Sequence, residues 1–310
     1  MFAIVNWMKN NFCTIVDKNF VFKCLALYTS ILEKEKSFTL WVLCMDNETY
    51  DIFGKMNLGG LELVKLVDFE NEQLRKVKKE RKISEYCWTC VPIFCLYLLE
   101  KYKQIKNLVY LDSDLYFFSS LDVFFERLEK GSFLLTPHRD GLLKEEAIKG
   151  AGIYNAGFFM VKNDEFGRER LKDWGEKCIE SCFDNINNGL YAGQWYLNDW
   201  SEKYDRVLVL DDKGINTAMW NVFRFNVNKK GKEIYVDDDK LVFYHFSRFE
   251  IINKNKFNFN IESLGFKVHK YVIEIIYGPY IKAVKQAIKQ VWETDFNFRF
   301  GIKQKHYLRR

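Results

Sequence analysis

The stretch that decides the fold reads NLVYLDSDLYFF and covers residues 107–118. Its first half is an apolar run, which is typical of a buried strand in a parallel sheet. That run leads directly into Asp112 and Asp114, and alternate residues on an extended segment point in the same direction. Both carboxylates can therefore converge on one divalent cation, because hard cations prefer carboxylate oxygens and readily bridge phosphates. A lone Asp-x-Asp is weak evidence, but its place after a buried strand strengthens the prediction.

Strand-like and helix-like segments alternate before this stretch. Apolar runs at 11–17, 37–45 and 61–67 predict strands, while residues 20–34 and 90–103 carry apolar side chains at helical spacing. This alternation predicts an α/β fold in which a mostly parallel central sheet is flanked by helices. Ligands of such sheets bind beyond the carboxyl ends of the strands, and the sequence places carboxylates there. Those carboxylates are Asp17, Asp46 and Asp112.

The second half of the chain follows a looser pattern. Strand-like runs occur at 157–162, 206–210 and 241–246, and residues 252–260 are predicted to form a polar, Asn-rich loop. Residues 268–291 are predicted to be helical and to carry a basic stripe. The stripe consists of Lys282, Lys285 and Lys289.

No repeat or low-complexity linker divides the chain. We therefore expect a first domain at residues 1–250, followed by a C-terminal helical extension at residues 251–310. Basic and aromatic residues on an amphipathic helix can bind an anionic membrane surface, or the helix can pack on the first domain with its lysines exposed. The sequence leaves both alternatives open, together with the association of two copies into a homodimer.

Composition and charge limit the class of protein. The net charge of +5 is mildly basic, but acidic residues are interleaved with the lysines, which argues against a nucleic-acid partner. No stretch approaches the ~18 apolar residues of a membrane-spanning helix, and the N-terminus lacks the charged region and cleavage site of a secretory signal. We therefore expect a cytoplasmic protein, peripheral on the inner membrane face if the C-terminal helix docks there.

The chain contains eight cysteines. In a long chain without a secretory signal, reduced and buried thiols are expected, because free Cys behaves as a small apolar residue. The pair Cys87 and Cys90 together with Cys178 and Cys182 offers a zinc site as the alternative, although the second spacing is loose for zinc.

The segment around the two aspartates resembles the DXD segment of GT-A glycosyltransferases, and is especially similar to that of glycosyltransferase family 8. Further segments resemble family motifs and follow in the same order, over roughly residues 11–250. They read CTIVD at 13–17, YNAGFFM at 154–160, QWYLNDW at 194–200, GINTAMWN at 214–221 and YHF at 244–246. The resemblance implies a Rossmann-like GT-A domain that binds a nucleotide-sugar and transfers its sugar.

The resemblance also implies a metal site. Asp112 and Asp114, with Ser113 between them, would hold Mn²⁺ or Mg²⁺ on the diphosphate of the donor, and His245 matches the family's third metal ligand. The metal would act as a Lewis acid toward the departing nucleoside diphosphate. A buried histidine satisfied by the backbone is the alternative for His245.

The same resemblance indicates where the nucleotide binds. Thr14 and Val16 would place main-chain groups at the uracil edge, and Asp17 would lie near the ribose or the base. Asn216 matches a further segment of the nucleotide-sugar site, where Trp220 either stacks on a sugar ring or fills the core. A UDP-sugar is the donor implied, although the residues themselves exclude no other base.

Three polar residues are expected near the reacting sugar. Asn155 would face the sugar or the acceptor, with Gly157 permitting close approach, and turn capping is the alternative role for Asn155. Gln194 matches a position close to the anomeric carbon in retaining relatives, which commonly have Asp where this chain has Gly193. Asp199 would compensate for that carboxylate, or it caps a helix. Transfer of a hexose-type sugar to a glycan or glycolipid acceptor, with retention, is likewise implied by the resemblance.

Two other functions are alternatives to sugar transfer. A sugar-1-phosphate nucleotidyltransferase also combines a nucleotide, a metal and an α/β sheet, but it needs a Gly-rich phosphate loop early in the chain, and residues 14–24 contain no glycine. A nucleotide-sugar-binding protein with a degenerate site is the alternative from a different class. The intact polar residues of the motifs argue against it.

Overall fold

A computed structural model describes residues 10–35, 37–139, 151–184, 191–261 and 268–303. The strands are β1 Asn10–Val16, β2 Phe38–Cys44, β3 Leu61–Lys65, β4 Asn107–Leu111, β5 Leu115–Phe117, β6 Phe133–Pro137, β7 Tyr154–Lys162, β8 Val207–Val209, β9 Thr217–Ala218, β10 Val227–Lys230, β11 Glu233–Val236, β12 Asp239–Lys240, β13 Phe243–His245, β14 Glu250–Asn253 and β15 Lys256–Asn258. The helices are α1 Val21–Lys34, α2 Asn47–Met56, α3 Leu66–Phe69, α4 Glu72–Lys78, α5 Ile83–Lys101, α6 Asp122–Leu128, α7 Glu165–Glu180, α8 Trp200–Lys203, α9 Lys270–Val272 and α10 Gly278–Thr294.

The central sheet has seven strands in the order β3-β2-β1-β4-β7-β6-β8. Strand β7 runs antiparallel to both of its neighbours, and every other pairing in this sheet is parallel. Near its centre, Cys13 of β1 pairs with Trp41 of β2 on one side and with Tyr110 of β4 on the other. The predicted α/β fold with a mostly parallel sheet is therefore confirmed.

Both faces of the sheet are covered by helices, which explains why the strands are apolar on both sides. Alternate residues of β1 enter different cores: Phe12 and Val16 belong to the cluster that contains α1 and α10, whereas Cys13 and Ile15 belong to the cluster that contains α5 and α7. Because both faces are covered, a ligand has to bind at the ends of the strands. The carboxyl ends of β1, β2 and β4 lie side by side, because these strands are parallel neighbours.

A second, three-stranded sheet carries the chain back to the end of β4. It has the order β5-β13-β9, with β13 antiparallel to β5 and parallel to β9. His245, the last residue of β13, pairs with Leu115 and with Ala218. The Phe246 N–H donates to the carbonyl of Asp114 at 2.9 Å. This small sheet thus places His245 next to the two aspartates, although they are distant in sequence.

The C-terminal helix α10 packs against α1 and closes the core beneath the small sheet. The fully buried Tyr280 ring stacks on Phe246 with centroids 3.7 Å apart, and the Tyr277 and Tyr244 hydroxyls lie 3.2 Å apart. Residues on both sides of the predicted boundary at residue 250 therefore share one apolar cluster, and the division into two domains stays a prediction. The basic tail after Lys303 lies outside the described residues. In the described part of the chain, no helix is long and apolar enough to cross a membrane.

Two predicted segments differ from the structure. The Asn-rich loop is wrong, because β14 and β15 form a hairpin in which Ile251 pairs with Phe257. The side chain of Asn253 accepts from the N–H groups of Asn255 and Lys256, both at 2.9 Å, and so shapes the turn. Helix α5 begins at Ile83, before the predicted start, because its first turn carries polar residues that hide the apolar periodicity.

Candidate metal centre

Asp112, Asp114 and His245 meet at the carboxyl end of β4. The Nε2 atom of His245 lies 3.1 Å from Oδ1 of Asp114 and 3.7 Å from Oδ2 of Asp112. One potential ligand atom from each residue lies within 4.8 Å of the others, and no second group of His, Cys, Asp and Glu among the described residues meets this criterion. Ser113 is buried between the two aspartates. The structure therefore brings the three predicted metal ligands together.

The surroundings of the cluster fit a metal ion. The Tyr110 hydroxyl donates to Oδ1 of Asp112 at 3.0 Å, and Asp112 N–H donates to the carbonyl of Gly157 at 2.7 Å. A Cβ at Gly157 would lie 2.6 Å from Oδ2 of Asp112 and 2.9 Å from Cε1 of His245. Space next to the ligands thus exists because residue 157 is glycine. Two carboxylates and an imidazole are a suitable donor set for Mn²⁺ or Mg²⁺.

The three side chains also shift one another's pKa values. Burial alone would raise the pKa of Asp114, but His245 and Lys23 outweigh it and lower this pKa to about 2. Burial alone would lower the pKa of His245, but the two aspartates outweigh it and raise this pKa. Burial and the charge of Asp114 raise the pKa of Asp112, with partial opposition from His245. A cation would replace this proton-dependent pairing by direct ligation.

Asn155 lies beside this cluster on strand β7, and Gln194 lies in a short 3₁₀ helix, Gln194–Leu197, that packs against that strand. The Asn155 Oδ1 atom accepts from the Gly157 N–H at 3.1 Å and lies 2.8 Å from the point where a Cβ of Gly157 would stand. The Gln194 side chain accepts from the Ala156 N–H at 3.4 Å and donates to the carbonyl of Ala151. Both side chains are buried. A hydrogen bond within strand β7 therefore holds the Asn155 side chain next to the metal cluster.

The residues predicted to hold the nucleotide lie at the end of β1. Asp17 is half-buried, which raises its pKa against the opposing hydrogen bonds, and its Oδ1 accepts from the Asn19 N–H at 2.8 Å. Val16 is buried and its carbonyl accepts from Met45 N–H at 2.9 Å, so this main-chain group is already used by the sheet. Thr14 is fully buried, and among the described residues its hydroxyl has no hydrogen-bond partner. Asp17 is the member of this set that remains accessible.

Asn216 and Trp220 lie on either side of strand β9, which pairs with the strand that ends at His245. Asn216 is fully buried in the left-handed region with φ of 56°, and its amide donates to the carbonyl of Pro137 at 3.0 Å. The Trp220 ring packs edge-on against the His245 ring with centroids 5.2 Å apart, and its Nε1 donates to the carbonyl of His138 at 3.0 Å. Trp220 is half-buried, so it packs against the metal cluster and keeps part of its surface open.

Asp199 lies apart from these contacts. Its carboxylate pairs with Lys203 at 2.5 Å on a half-exposed surface. It occupies the N-cap position of α8 but its side chain makes no capping hydrogen bond, so the predicted capping role is wrong. The catalytic role predicted for Asp199 stays a prediction.

Two contributors to the site were missed in the sequence. Tyr110 reads as one more apolar residue of β4, yet its hydroxyl orients Asp112. Lys23 reads as a polar interruption of an apolar helix, yet its Nζ lies 3.8 Å from Oδ2 of Asp114. A lysine in the first turn of a helix opposes the helix dipole, and this unusual placement was the available signal.

The cysteines are free throughout, and seven of the eight are buried. They therefore fit the predicted reduced, buried thiols. Cys87, Cys90, Cys178 and Cys182 do not gather into a metal-ligand group within the part of the chain that the structure describes.

Comparison with known proteins gives a consistent result. The family model described as Glycosyl transferase family 8 matches residues 11–188. The Bacillus subtilis (strain 168) protein YfnD is 31% identical to this chain over 302 residues, which cover 96% of this chain and 95% of YfnD.

Two solved structures share the fold. Mouse xyloside xylosyltransferase 1 superposes with a TM-score of 0.54 at 11% identity, covering 77% of this chain and 98% of that one. The galactosyltransferase LgtC, solved with donor and acceptor sugar analogues, superposes with a TM-score of 0.53 at 13% identity, covering 86% of this chain and 100% of LgtC. At these identities the likeness establishes the fold alone.

Proposed function

The chain belongs to glycosyl transferase family 8, and from that premise we propose that this glycosyltransferase moves a hexose-type sugar from a UDP-sugar to a glycan or glycolipid acceptor, with metal assistance and with retention. The observation that carries the proposal is the convergence of Asp112, Asp114 and His245 within ligand distance of one another. Acidic groups often lie close together without a metal. Here, however, a glycine keeps the adjacent space open and a tyrosine fixes one carboxylate.

Asp112, Asp114 and His245 would hold Mn²⁺ or Mg²⁺. When bound, such an ion supplies Lewis-acid stabilisation of the charge that develops on a nucleoside diphosphate. The protein's own part is to orient the ligands before the donor arrives. Tyr110 and the main chain of Gly157 hold Asp112, while the small sheet holds His245.

Gln194 and Asn155 are proposed to position the sugar. Both are buried and held by main-chain hydrogen bonds, Asn155 from the Gly157 N–H and Gln194 from the Ala156 N–H, so their side chains are preorganised. In the proposed retaining reaction, the acceptor hydroxyl attacks the anomeric carbon on the face that the diphosphate leaves. The bond from that carbon to the diphosphate oxygen breaks as the new glycosidic bond forms. The hydroxyl proton passes to the departing diphosphate.

A donor screen tests the proposal. Hydrolysis of UDP-glucose, UDP-galactose and UDP-N-acetylglucosamine is measured with Mn²⁺, with Mg²⁺ and with EDTA. We expect turnover of at least one donor that EDTA abolishes and Asp114→Asn removes, while Asp122→Asn on the surface of α6 keeps it. Inverted anomeric configuration of the product in an NMR spectrum would overturn retention but not sugar transfer.

A UDP-binding measurement and an assay of pyrophosphate release, run beside the screen, separate the alternative functions. A binding protein with a degenerate site would bind UDP with Mn²⁺ and hydrolyse none of the donors. A nucleotidyltransferase would form a nucleotide-sugar from a nucleoside triphosphate and a sugar-1-phosphate, with release of pyrophosphate. Either result would replace the proposed reaction.

Contact with a membrane surface is proposed for the C-terminal helix α10. Its three stripe lysines are exposed on the side away from the core, as the amphipathic pattern requires. Co-sedimentation with liposomes containing phosphatidylglycerol is expected for the wild-type protein and reduced when all three are replaced by Gln. Equal co-sedimentation of both proteins would contradict membrane contact through these lysines. The three lysines are Lys282, Lys285 and Lys289.

A further inference from the structure

Lys23 is a buried cation beside the metal cluster that the chemistry above does not use. It lies in the first turn of α1 and is 8% exposed. Its Nζ is 3.8 Å from Oδ2 of Asp114 and 4.3 Å from the centre of the Phe20 ring. The separation from Asp114 is longer than a normal hydrogen bond. Lys23 therefore forms a long, buried ion pair with Asp114.

This placement is unfavourable for stability. Burial lowers the pKa of Lys23, and Asp114 opposes that effect only in part. The first turn of α1 contains no acidic residue, and Phe20 at its N-cap gives no side-chain hydrogen bond. The positive end of the helix dipole therefore adds to the repulsion of a cation there. Packing alone does not require a charge at this position, because an unbranched apolar side chain of similar length would fill the same space.

The position of Lys23 along the site is informative. Helix α1 starts a few residues after Asp17, which is the accessible group at the end of β1, while Asp114 belongs to the metal cluster. The negative charges of both groups, Asp17 expected at the nucleoside and Asp114 expected at the metal, favour the charged form of Lys23. A diphosphate that bridges these two groups would therefore lie near the ammonium group.

We propose that Lys23 binds the diphosphate of the donor and stabilises the leaving nucleoside diphosphate, as a second cation beside the metal. The inference rests on the proposed function. The two aspartates and a divalent cation cancel in charge, so the phosphates would otherwise lack a further counter-charge. When the bond from the anomeric carbon breaks, its electron pair stays on the diphosphate oxygen, and the negative charge there increases. An ammonium in a site of low water content stabilises that charge strongly.

The test compares Lys23→Met with Lys23→Arg, because Met keeps the unbranched stem and Arg keeps the charge. Lys34→Met is the matched control, since it removes the same charge from the other end of α1, about 17 Å away along the helix. Calorimetry measures the binding of UDP, UMP and uridine with Mn²⁺ present, and of Mn²⁺ alone. If Lys23→Met does not fold, Lys23→Gln takes its place with the same criteria.

We expect Lys23→Met to weaken UDP binding about tenfold or more, the loss typical of one charge-assisted contact. UMP binding should fall less, and uridine binding should not change. Mn²⁺ alone should bind as tightly or more tightly, because a competing cation near Asp114 has gone. Lys23→Arg should recover part of the UDP affinity, and Lys34→Met should match the wild type.

Two results would overturn the inference while leaving the proposed function intact. One is wild-type UDP affinity in Lys23→Met. The other is an equal loss for UDP, uridine and Mn²⁺ together with a lowered Tm, which indicates a structural role. If the wild-type protein binds none of UDP, CDP, GDP and ADP with Mn²⁺, the proposed function fails and this inference fails with it.

Discussion

The Nε2 atom of His245 lies 3.1 Å from Oδ1 of Asp114, although 131 positions separate the two residues in the chain (245 − 114). The contact is made by two backbone pairings: β13 runs antiparallel to β5, and Phe246 N–H donates to the carbonyl of Asp114. Because these pairings are part of a sheet, the cluster is set before any ligand binds. A set of preoriented ligands is what a metal-dependent enzyme requires.

Replacement of the proposed ligand His245 should weaken metal binding. His245→Gln keeps the size and polarity of the side chain but lacks the imidazole nitrogen, so we expect Mn²⁺ affinity to fall at least about tenfold. Isothermal calorimetry measures it. His269→Gln, at the exposed N-cap of α9, is the control and should bind as the wild type does. Unchanged affinity in His245→Gln would exclude this residue as a ligand.

The pH dependence of the metal-free protein follows from the raised pKa of His245. The paired, protonated His245 stabilises the fold fully below its unfolded pKa of about 6.5, and this contribution is lost as pH rises through the raised folded pKa. The pKa of Asp114, lowered to about 2, adds stability above about pH 4 that is lost on acidification toward about pH 2. Thermal melts of the metal-free protein across pH measure both windows.

The stabilisation by Mn²⁺ should increase with pH near neutrality, whereas the stabilisation by protonated His245 decreases. The ion competes with the proton on His245, so the Mn²⁺-induced rise in Tm should grow from about pH 6 to about pH 8. His245→Gln should flatten this dependence. A Mn²⁺-induced shift that is the same at all these pH values in the wild-type protein would contradict the predicted competition.

Gly157→Ala should disrupt the cluster from outside its ligand set. The added Cβ would lie 2.6 Å from Oδ2 of Asp112, and the backbone there is fixed by the hydrogen bond between Asp112 N–H and the Gly157 carbonyl. We expect a loss of Mn²⁺ affinity and of transferase activity. Gly54→Ala in α2 is the control, because nothing lies within 4 Å of its added Cβ, and it should be neutral or stabilising by up to about 1 kcal/mol.

Tyr110→Phe tests a positioning residue. Removal of the hydroxyl frees Oδ1 of Asp112 while keeping the ring in its stack on Phe159. We expect Mn²⁺ affinity to fall about 10- to 100-fold, as is usual for the loss of a group that orients a metal ligand. Tyr28→Phe removes another hydroxyl, bonded to the Gly59 carbonyl, and should leave Mn²⁺ affinity unchanged. A lower Tm without a change in metal affinity would assign Tyr110 a purely structural role.

The C-terminal helix should contribute to the stability of the whole chain. Tyr280 is fully buried and stacks on Phe246, the residue after His245, so Tyr280→Ala should lower the free energy of unfolding by about 3–5 kcal/mol. Tyr280→Phe should be neutral or stabilising, since the Tyr280 hydroxyl has no hydrogen-bond partner among the described residues. Denaturant unfolding measures both. A separate, early transition for α10 in Tyr280→Ala would instead support an independent extension.

The sequence by itself determined the sheet and the acidic motif. Strand β4 is mostly apolar and a carboxylate, Asp112, follows it directly, so local periodicity and composition identify both the strand and its functional end. The order of the motifs was enough to identify the family, which the family model confirms. Where polarity hid the pattern, as in the hairpin of β14 and β15, local reasoning failed, because cross-strand pairing between Ile251 and Phe257 decides that element.

Only the tertiary structure decided which of these residues act together. His245 joins the aspartates because β13 pairs with β5, Tyr110 points its hydroxyl at Asp112, and Lys23 approaches Asp114 from helix α1. Asp199 instead pairs with Lys203 at the surface. These relations depend on long-range packing and on hydrogen-bond directions. A single sequence records the types of the residues, whereas distances between residues far apart in the chain arise only when the sheets and helices pack.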